Sequence, residues 1–234
     1  MNILLFLLFL ALSLSATSFS KSKKILLKKI YFDKQVSFYC SNPYEIKRIK
    51  GKYKTLIVQD KKYYQARKPF YKSGKRNIRA QRIEWEHIMP AHNFGKHLSC
   101  WKKGGRKACR KDKIFKTMEA DMHNLVPAIG EVNANRSNYR FGALTPLVKQ
   151  YGICKVQIDF KKKRAYVRDE IKGDIARIYF YMSDKYNIRM SKQEKMMMKV
   201  WNKLDPIDEW EMLKNKRLIR LQGQGNKYIM GAKI

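Results

Sequence analysis

Acidic and imidazole side chains are crowded together near the middle of the chain, in the stretch EWEH that ends at His87. A histidine titrates near neutral pH and can take a proton from water, and a neighbouring carboxylate can bind a cation. If this stretch is a strand, Glu84 and Glu86 share one face while Trp85 and His87 share the other. Glu86 and His87 therefore reach one site only where the strand bends, and Pro90 predicts a strand end close by. Taken alone, an adjacent Glu–His pair is more often structural than catalytic.

A second segment, DMHNLVPAIGEVNANRSNYRFG, is rich in asparagine and begins at Asp121. Asparagine is a mediocre helix former, so this density indicates side chains that are used for something other than helix propensity. Capping and turn formation is a sufficient explanation for most of them. The asparagines concerned are Asn124, Asn133, Asn135 and Asn138.

Apolar periodicity predicts the elements that must position these segments. Residues of strand type run over Tyr53–Val58, and an alternating pattern predicts a hairpin over Val156–Val167. Helical spacing from Ile175 to Tyr186 predicts a helix. Ser191 and Glu194 form the capping box of a second helix. Its predicted buried positions are Met197, Val200, Trp201 and Leu204.

The start of a third helix is predicted at DPIDEW. Asp205 is the expected N-cap, and Pro206 would occupy the first helical position. All three helices are interpreted as scaffold.

Lysine and arginine dominate the charge, with 52 basic against 19 acidic residues and a formal net charge of +33. Such a chain attracts polyanions: nucleic acid, anionic lipid surfaces and acidic glycans all qualify, with salt-dependent binding. The alternative is that the composition has simply drifted toward lysine, which leaves the EWEH stretch unexplained.

The first twenty residues contain no Lys, Arg, Asp or Glu, and their apolar run is too short to span a bilayer comfortably. With small residues at Ala16 and Ser18 as a cleavage site, we predict a signal peptide over residues 1–20. An uncleaved anchor is the alternative. Residues 21–234 contain no linker or internal repeat, so we expect one domain.

Cysteines at four positions in an exported chain predict two disulfides, with three possible connectivities. Proximity favours Cys100–Cys109, and Cys40–Cys154 would then close a long loop.

Several ordered motifs together resemble the endonuclease I family, the exported bacterial non-specific endonucleases of periplasmic and Vibrio type. They are IEWEHIMPAHNFG, CWKKGGRKAC, ADMHNLVPAIGEVNANRSNYRFG, MSKQEKMMMKVWNKLDPIDEWE and LQGQGN. The resemblance covers most of the chain beyond the leader. It implies an α+β fold, mixed and helix-rich, in a single domain that contains a ββα-metal (His-Me finger) active-site motif.

The resemblance also implies roles for particular residues. Glu86 and Asn124 correspond to metal ligands, His87 to the general base, and Arg106 to an arginine that stabilises the scissile phosphate. Carboxylate and amide oxygens are hard ligands that favour Mg²⁺, with Mn²⁺ or Ca²⁺ as substitutes. The expected products carry a 5′ phosphate and a 3′ hydroxyl.

The expected partners are double-stranded and single-stranded DNA, and RNA, bound through the phosphate backbone without sequence specificity. Candidate phosphate contacts are Arg82, Arg136 and Arg140, which one sequence cannot rank. We expect a periplasmic or secreted monomer with no specific protein partner and no stable membrane insertion after signal cleavage.

Two other interpretations remain open on the sequence alone. A zinc site could use the four histidines with Cys100 and Cys109, although their spacing fits no standard finger pattern. Alternatively, the chain is a catalytically silent, cationic nucleic-acid-binding protein, for which the net charge alone would suffice. No signature of a sequence-specific binding domain supports that alternative.

Overall fold

The computed structural model describes residues 18–231, which combine short strands with helices. Its strands are β1 Tyr44–Ile49, β2 Lys52–Ile57, β3 Ile83–His87, β4 Leu125–Ile129, β5 Arg140–Phe141, β6 Val156–Asp159 and β7 Arg164–Val167. Its α-helices are α1 Phe19–Ile25, α2 Ala91–Gly95, α3 Ser99–Lys102, α4 Gly105–Ala108, α5 Lys113–Ala120, α6 Gly130–Arg136, α7 Lys172–Tyr186, α8 Lys192–Leu204 and α9 Glu209–Gln222. A mixed α+β domain is therefore confirmed.

The strands pair in small separate sheets. β1 pairs with β2, and β3 pairs with β4, both antiparallel. In the third sheet β7 lies between β5, which is parallel to it, and β6, which is antiparallel. The β6–β7 pair confirms the predicted hairpin, and β2 confirms the predicted strand near Tyr53.

The pair β3–β4 leads directly into a helix. Ile83 lies opposite Ile129 at the end of the pair, and α6 begins at the next residue, Gly130. A Cβ atom at Gly130 would lie 2.8 Å from the carbonyl oxygen of Arg79 and 2.8 Å from the carboxyl carbon of Glu84. Only glycine allows this approach, which holds the start of α6 against β3.

The chain between β3 and β4 forms the short helices α2 to α5. The disulfide Cys100–Cys109 joins α3 to the end of α4. Asp112 then caps α5, because its carboxylate accepts the backbone N–H of Phe115 at 2.8 Å. This insertion brings Arg106 and the end of α5 back toward β3.

The two disulfides match the predicted connectivity. Cys40 and Cys154 are joined across a sequence separation of 114 residues, and Cys100 and Cys109 across 9. The long-range bond ties the segment before β1 to the segment before β6.

The predicted helices α7 and α8 are confirmed, with the end of α7 and the start of α8 at the expected residues, although α7 begins at Lys172, three residues before the predicted Ile175. Asn187 follows α7 in the left-handed conformation, with φ of +51°. Ser191 caps α8, and its hydroxyl accepts the backbone N–H of Glu194 at 3.2 Å.

The buried face of α8 was predicted wrongly in part: Trp201 is buried, whereas Val200 and Leu204 are exposed. The helix is rotated so that Met198 accompanies Trp201 in the core.

The predicted start of the third helix is wrong by three residues. Asp208, and not Asp205, is the N-cap of α9, and its carboxylate accepts the backbone N–H of Glu211 at 2.7 Å. Asp205 instead follows α8 and accepts the backbone N–H of Gly173 at the start of α7, at 2.8 Å. Its carboxylate is therefore used between helices rather than at the start of one.

The predicted signal peptide lies largely outside the described residues, which begin at Ser18. The hydroxyl of Ser18 caps α1 by accepting the backbone N–H of Lys21, and Phe19 is the first residue of that helix. The position of cleavage stays a prediction. Within residues 18–231, no helix is long and apolar enough to cross a membrane.

Candidate functional site

A cavity of about 640 Å³ opens where β3, α4, α6 and α1 approach one another. It gathers polar side chains from segments that are far apart in the sequence. Those that matter below are Arg79, Arg82, Glu84, Glu86, His87, Arg106, Asn133 and Arg136, together with the ring of Phe19.

Glu86 presents a buried carboxylate to this cavity. Its Oε1 accepts hydrogen bonds from the Tyr39 hydroxyl at 3.1 Å and from Arg136 Nη1 at 3.0 Å. No described residue donates to Oε2. Burial raises the pKa of Glu86 to about 7, although Arg136 and Tyr39 act in the opposite direction. A bound cation would offset the cost of this desolvation, so the carboxylate fits a metal ligand.

His87 is fixed by one hydrogen bond to the backbone. Its Nε2 lies 2.9 Å from the carbonyl oxygen of Glu119. A carbonyl can only accept, so Nε2 carries the proton and Nδ1 of the neutral ring is left as an acceptor. Burial lowers the pKa of His87 to about 3, which keeps the ring neutral at physiological pH. The ring of Phe19 packs against it, with centroids 4.9 Å apart.

Asn124, the predicted second metal ligand, does not reach the cavity. It is fully buried, its Oδ1 accepts the backbone N–H of Met89 at 2.7 Å, and its Nδ2 donates to the Met89 carbonyl at 2.9 Å. Both ends of the amide are therefore used to fix the chain after β3. The geometry corrects the expectation: Asn124 supports the backbone and does not stand beside Glu86.

Asn133, rather than Asn124, lines the cavity. It projects from α6 into the cavity that Glu86 and His87 line, and its Nδ2 is 3.4 Å from Glu84 Oε2. No described residue donates to its Oδ1. An amide oxygen and a carboxylate oxygen are therefore available in one cavity.

Arg106, to which the resemblance gives the scissile phosphate, lines the cavity from α4. Its Nε donates to Glu119 Oε1 at 2.7 Å, and its guanidinium lies over the ring of Phe19 at 5.6 Å. The side chain is 48% exposed, so its remaining N–H groups face solvent. Glu119 thus holds two site residues, His87 through its carbonyl and Arg106 through its carboxylate.

The structure separates the three candidate phosphate-contacting arginines. Arg136 is buried, and it donates to Glu86 and to the carbonyl oxygens of His87 and Ile88. It is therefore a structural residue that positions β3. Arg140 is exposed on β5 but does not line the cavity, whereas Arg82 does.

Sequence reasoning missed three residues that support the site. Tyr39 and Glu119 carry no sequence signal. Tyr39 contacts Glu86 from 47 residues away, and Glu119 contacts His87 through its backbone carbonyl. Asn133 could have been found, because a helix starting at Gly130 places Asn133 and Arg136 on one face.

The structure does not support a zinc site, because several of the residues proposed as zinc ligands are bonded elsewhere. Cys100 and Cys109 are bonded to each other, and His123 Nε2 lies 2.9 Å from the carbonyl oxygen of Gln224. Within the part of the chain that the structure describes, no group of three or more His, Cys, Asp or Glu side chains could hold a metal. A metal in the cavity would instead need Glu86, an amide oxygen, water and phosphate oxygens.

Comparison with known proteins gives consistent results. The family model described as Endonuclease I matches residues 18–233. Endonuclease-1 of Buchnera aphidicola subsp. Acyrthosiphon pisum (strain APS) is 41% identical over 227 residues, which cover 86% of this chain and 91% of the relative.

Two proteins of Aeromonas hydrophila are also similar. An extracellular deoxyribonuclease is 40% identical over 227 residues, which cover 94% of this chain and 92% of the relative. A periplasmic deoxyribonuclease is 46% identical over 160 residues, which cover 68% of each chain.

Proposed function

This chain belongs to the endonuclease I family, and we propose that it is a magnesium-dependent, sequence-non-specific endonuclease. It hydrolyses phosphodiester bonds of double-stranded and single-stranded DNA, and of RNA, leaving a 5′ phosphate and a 3′ hydroxyl. The names of the relatives support the nuclease activity, and the geometry of the cavity supports the mechanism.

One observation carries the proposal: the neutral imidazole of His87, fixed through Nε2 on the Glu119 carbonyl, lines the same cavity as the Glu86 carboxylate. In this arrangement Nδ1 takes the proton of the attacking water. β3, β4 and α6 then form the ββα-metal motif, with the insertion α2 to α5 between its strands.

We assign the metal to Glu86 Oε2 and Asn133 Oδ1. These hard oxygen donors leave most of an octahedral shell to water and phosphate oxygens, which favours Mg²⁺, with Mn²⁺ or Ca²⁺ as substitutes. When bound, the ion would polarise a phosphoryl oxygen and neutralise charge on the leaving 3′ oxygen.

The protein's own residues bind and orient the substrate. Arg106 donates its free N–H groups to the phosphate under attack, and Glu119 holds its Nε so that the guanidinium keeps one direction. Burial of His87 and its hydrogen bond to the Glu119 carbonyl keep the imidazole from rotating. The described residues that line the cavity include the basic side chains of Lys23, Arg79, Arg82 and Arg106, which suit contacts with phosphates and so support cleavage without sequence preference.

Export to the periplasm or the outside of the cell is supported by the similarity to a periplasmic and an extracellular deoxyribonuclease and by the uncharged leader sequence. The two disulfides are consistent with an oxidising compartment. The net charge of +33 favours association with long polyanions there.

The competing function is a cationic nucleic-acid binder without catalysis. The deciding experiment is digestion of supercoiled plasmid and of total RNA, in Mg²⁺ and in EDTA, by the wild-type protein and by His87→Ala. We expect cleavage only with the ion and the histidine, with the variant slower by about 10²- to 10⁴-fold. His97→Ala, an exposed histidine outside the cavity, is the matched control. Retained DNA binding without any wild-type cleavage would favour the silent binder.

A further inference from the structure

A second group of charged residues borders the same cavity. Glu84 lies two residues before Glu86 on β3, and its carboxylate accepts hydrogen bonds from two arginines. Arg79 donates through Nε, at 3.1 Å, and through Nη2. Arg82 donates through Nε at 3.1 Å and through Nη2 at 2.7 Å. Two positive charges therefore share one negative charge at the edge of the cavity.

Both guanidinium groups keep donors for a further ligand. Each has five N–H groups, and Arg79 and Arg82 use only Nε and Nη2 toward Glu84. No other described residue accepts from either side-chain guanidinium. Their side chains are 38% and 44% exposed, so the remaining donors are accessible from the cavity.

The surroundings fix this pair in place. The backbone N–H of Arg79 is bound by the side chain of Asn77 at 3.2 Å, and the carbonyl of Arg82 accepts the N–H of Gly130 at 2.9 Å. The absence of a Cβ at Gly130 makes room for the Glu84 carboxylate. Such a fixed pair of planar guanidinium groups is suited to a tetrahedral oxyanion and loses little entropy when it binds.

We propose that Arg79 and Arg82 form a second phosphate subsite, which binds the phosphodiester adjacent to the one being cut. The inference rests on the proposed function and adds a substrate requirement to it: at least two consecutive phosphodiesters. Residues two apart on a strand are separated by about 6.7 Å, comparable with the spacing of neighbouring phosphates along an extended nucleic-acid strand. Glu86, with the metal, and Glu84, with its arginines, are spaced in this way on one face of β3.

The subsite can be tested by binding, without cleavage. The affinity for a fluorescent single-stranded 12-mer is measured in EDTA across a salt series, for the wild type and for Arg79→Gln/Arg82→Gln. We expect the variant to bind about 10- to 100-fold more weakly, and its salt slope to fall by about 1. Lys161→Gln/Lys162→Gln removes the same charge from the turn between β6 and β7 and should not reproduce the drop.

A cleavage experiment identifies which phosphate of the substrate Arg79 and Arg82 contact. In Mg²⁺, oligonucleotides that carry one neutral methylphosphonate at successive positions beside the cut are compared. One flanking position should slow the wild type by raising KM, and the same position should have no further effect in the double variant. Thermal unfolding of the variant checks that it folds.

Three results would overturn the subsite: equal affinities of wild type and variant, an equal drop in the lysine control, or a methylphosphonate effect that persists in the variant. A wild type that binds the 12-mer and cuts nothing in Mg²⁺ would instead defeat the proposed function. The binding comparison would still decide the subsite.

Discussion

Two asparagines near the cavity differ in what their side-chain atoms already do. Asn124 uses both ends of its amide on the backbone of Met89, whereas the Oδ1 of Asn133 has no donor among the described residues. Residue type alone would make either one a metal ligand. The hydrogen bonds show that Asn124 fixes the backbone, and they leave Asn133 as the residue that we propose as the metal ligand.

Alanine substitutions at these two asparagines should therefore change different properties of the protein. Asn124→Ala should destabilise the fold by about 1–3 kcal/mol, because it leaves buried backbone groups of Met89 without partners. Asn133→Ala should leave the melting temperature nearly unchanged but raise the Mg²⁺ concentration needed for half-maximal cleavage. Thermal unfolding and a Mg²⁺ titration of both variants measure this. If Asn124→Ala shifted only the Mg²⁺ requirement, our assignment would be wrong.

A buried histidine outside the proposed mechanism links stability to pH. Burial lowers the pKa of His123 to about 4, although Asp121 acts to raise it. An unfolded histidine has a pKa near about 6.5, so the unfolded chain takes up a proton that the folded chain does not. Stability should therefore fall as the pH drops from about 6.5 to about 4, by at most about 3 kcal/mol from this residue.

Urea unfolding at pH 7 and pH 4.5 measures this dependence. His123→Gln keeps an N–H donor for the Gln224 carbonyl but cannot be protonated. The variant should lose less stability than the wild type between the two pH values. The same loss in both proteins would show that other groups, such as the acid-sensitive carboxylates, cause the effect.

At the scale of elements, the site depends on short segments whose ends are fixed by side chains. α6 is held against β3 at Gly130, and α5 begins at the Asp112 cap, about two turns before Glu119. These elements are too short to be stable alone, so their caps and tertiary contacts decide their positions.

The N-cap of α9, Asp208, leads to a prediction about stability. Asp208→Ala should destabilise the protein by about 1 kcal/mol, since it removes the acceptor for the Glu211 N–H. Asp208→Asn is the matched control, because asparagine is an equally good N-cap. Chemical denaturation of both variants, with hydrogen exchange in the first turn of α9, reads out the difference. Equal losses for alanine and asparagine would mean that charge, rather than capping, matters.

At the scale of the whole molecule, the disulfides act over very different lengths of chain. Cys40–Cys154 spans 114 residues and Cys100–Cys109 spans 9. Tyr39, beside Cys40, donates to Glu86, so the long-range bond also anchors a residue of the site. The chain-entropy model gives about 5 kcal/mol for the long loop and about 3 kcal/mol for the short one.

We therefore expect Cys40→Ser/Cys154→Ser to lower the free energy of unfolding more than Cys100→Ser/Cys109→Ser. Denaturant unfolding of the two double variants under oxidising conditions measures both losses. The reverse order would indicate that the short loop, which carries Arg106, contributes native contacts that the entropy model omits.

The sequence by itself determined the family, the α+β class, the hairpin, and the helices α7 and α8, and proximity along the chain favoured the disulfide pairing that the structure has. It also singled out Glu86, His87 and Arg106. These features depend on local pattern or on ordered motifs, which the printed sequence contains directly.

Only the tertiary structure distinguishes Asn124, whose amide is used on the backbone, from Asn133 in the cavity, and the buried Arg136 from the exposed Arg82. The physical reason is that a polar side chain takes its role from which of its atoms already have partners, and those partners come from distant segments. The Met89 backbone, the Glu119 carbonyl and the Tyr39 hydroxyl meet the site only after folding. The same holds for the Glu84 carboxylate, which accepts from both Arg79 and Arg82 at the phosphate subsite that we propose.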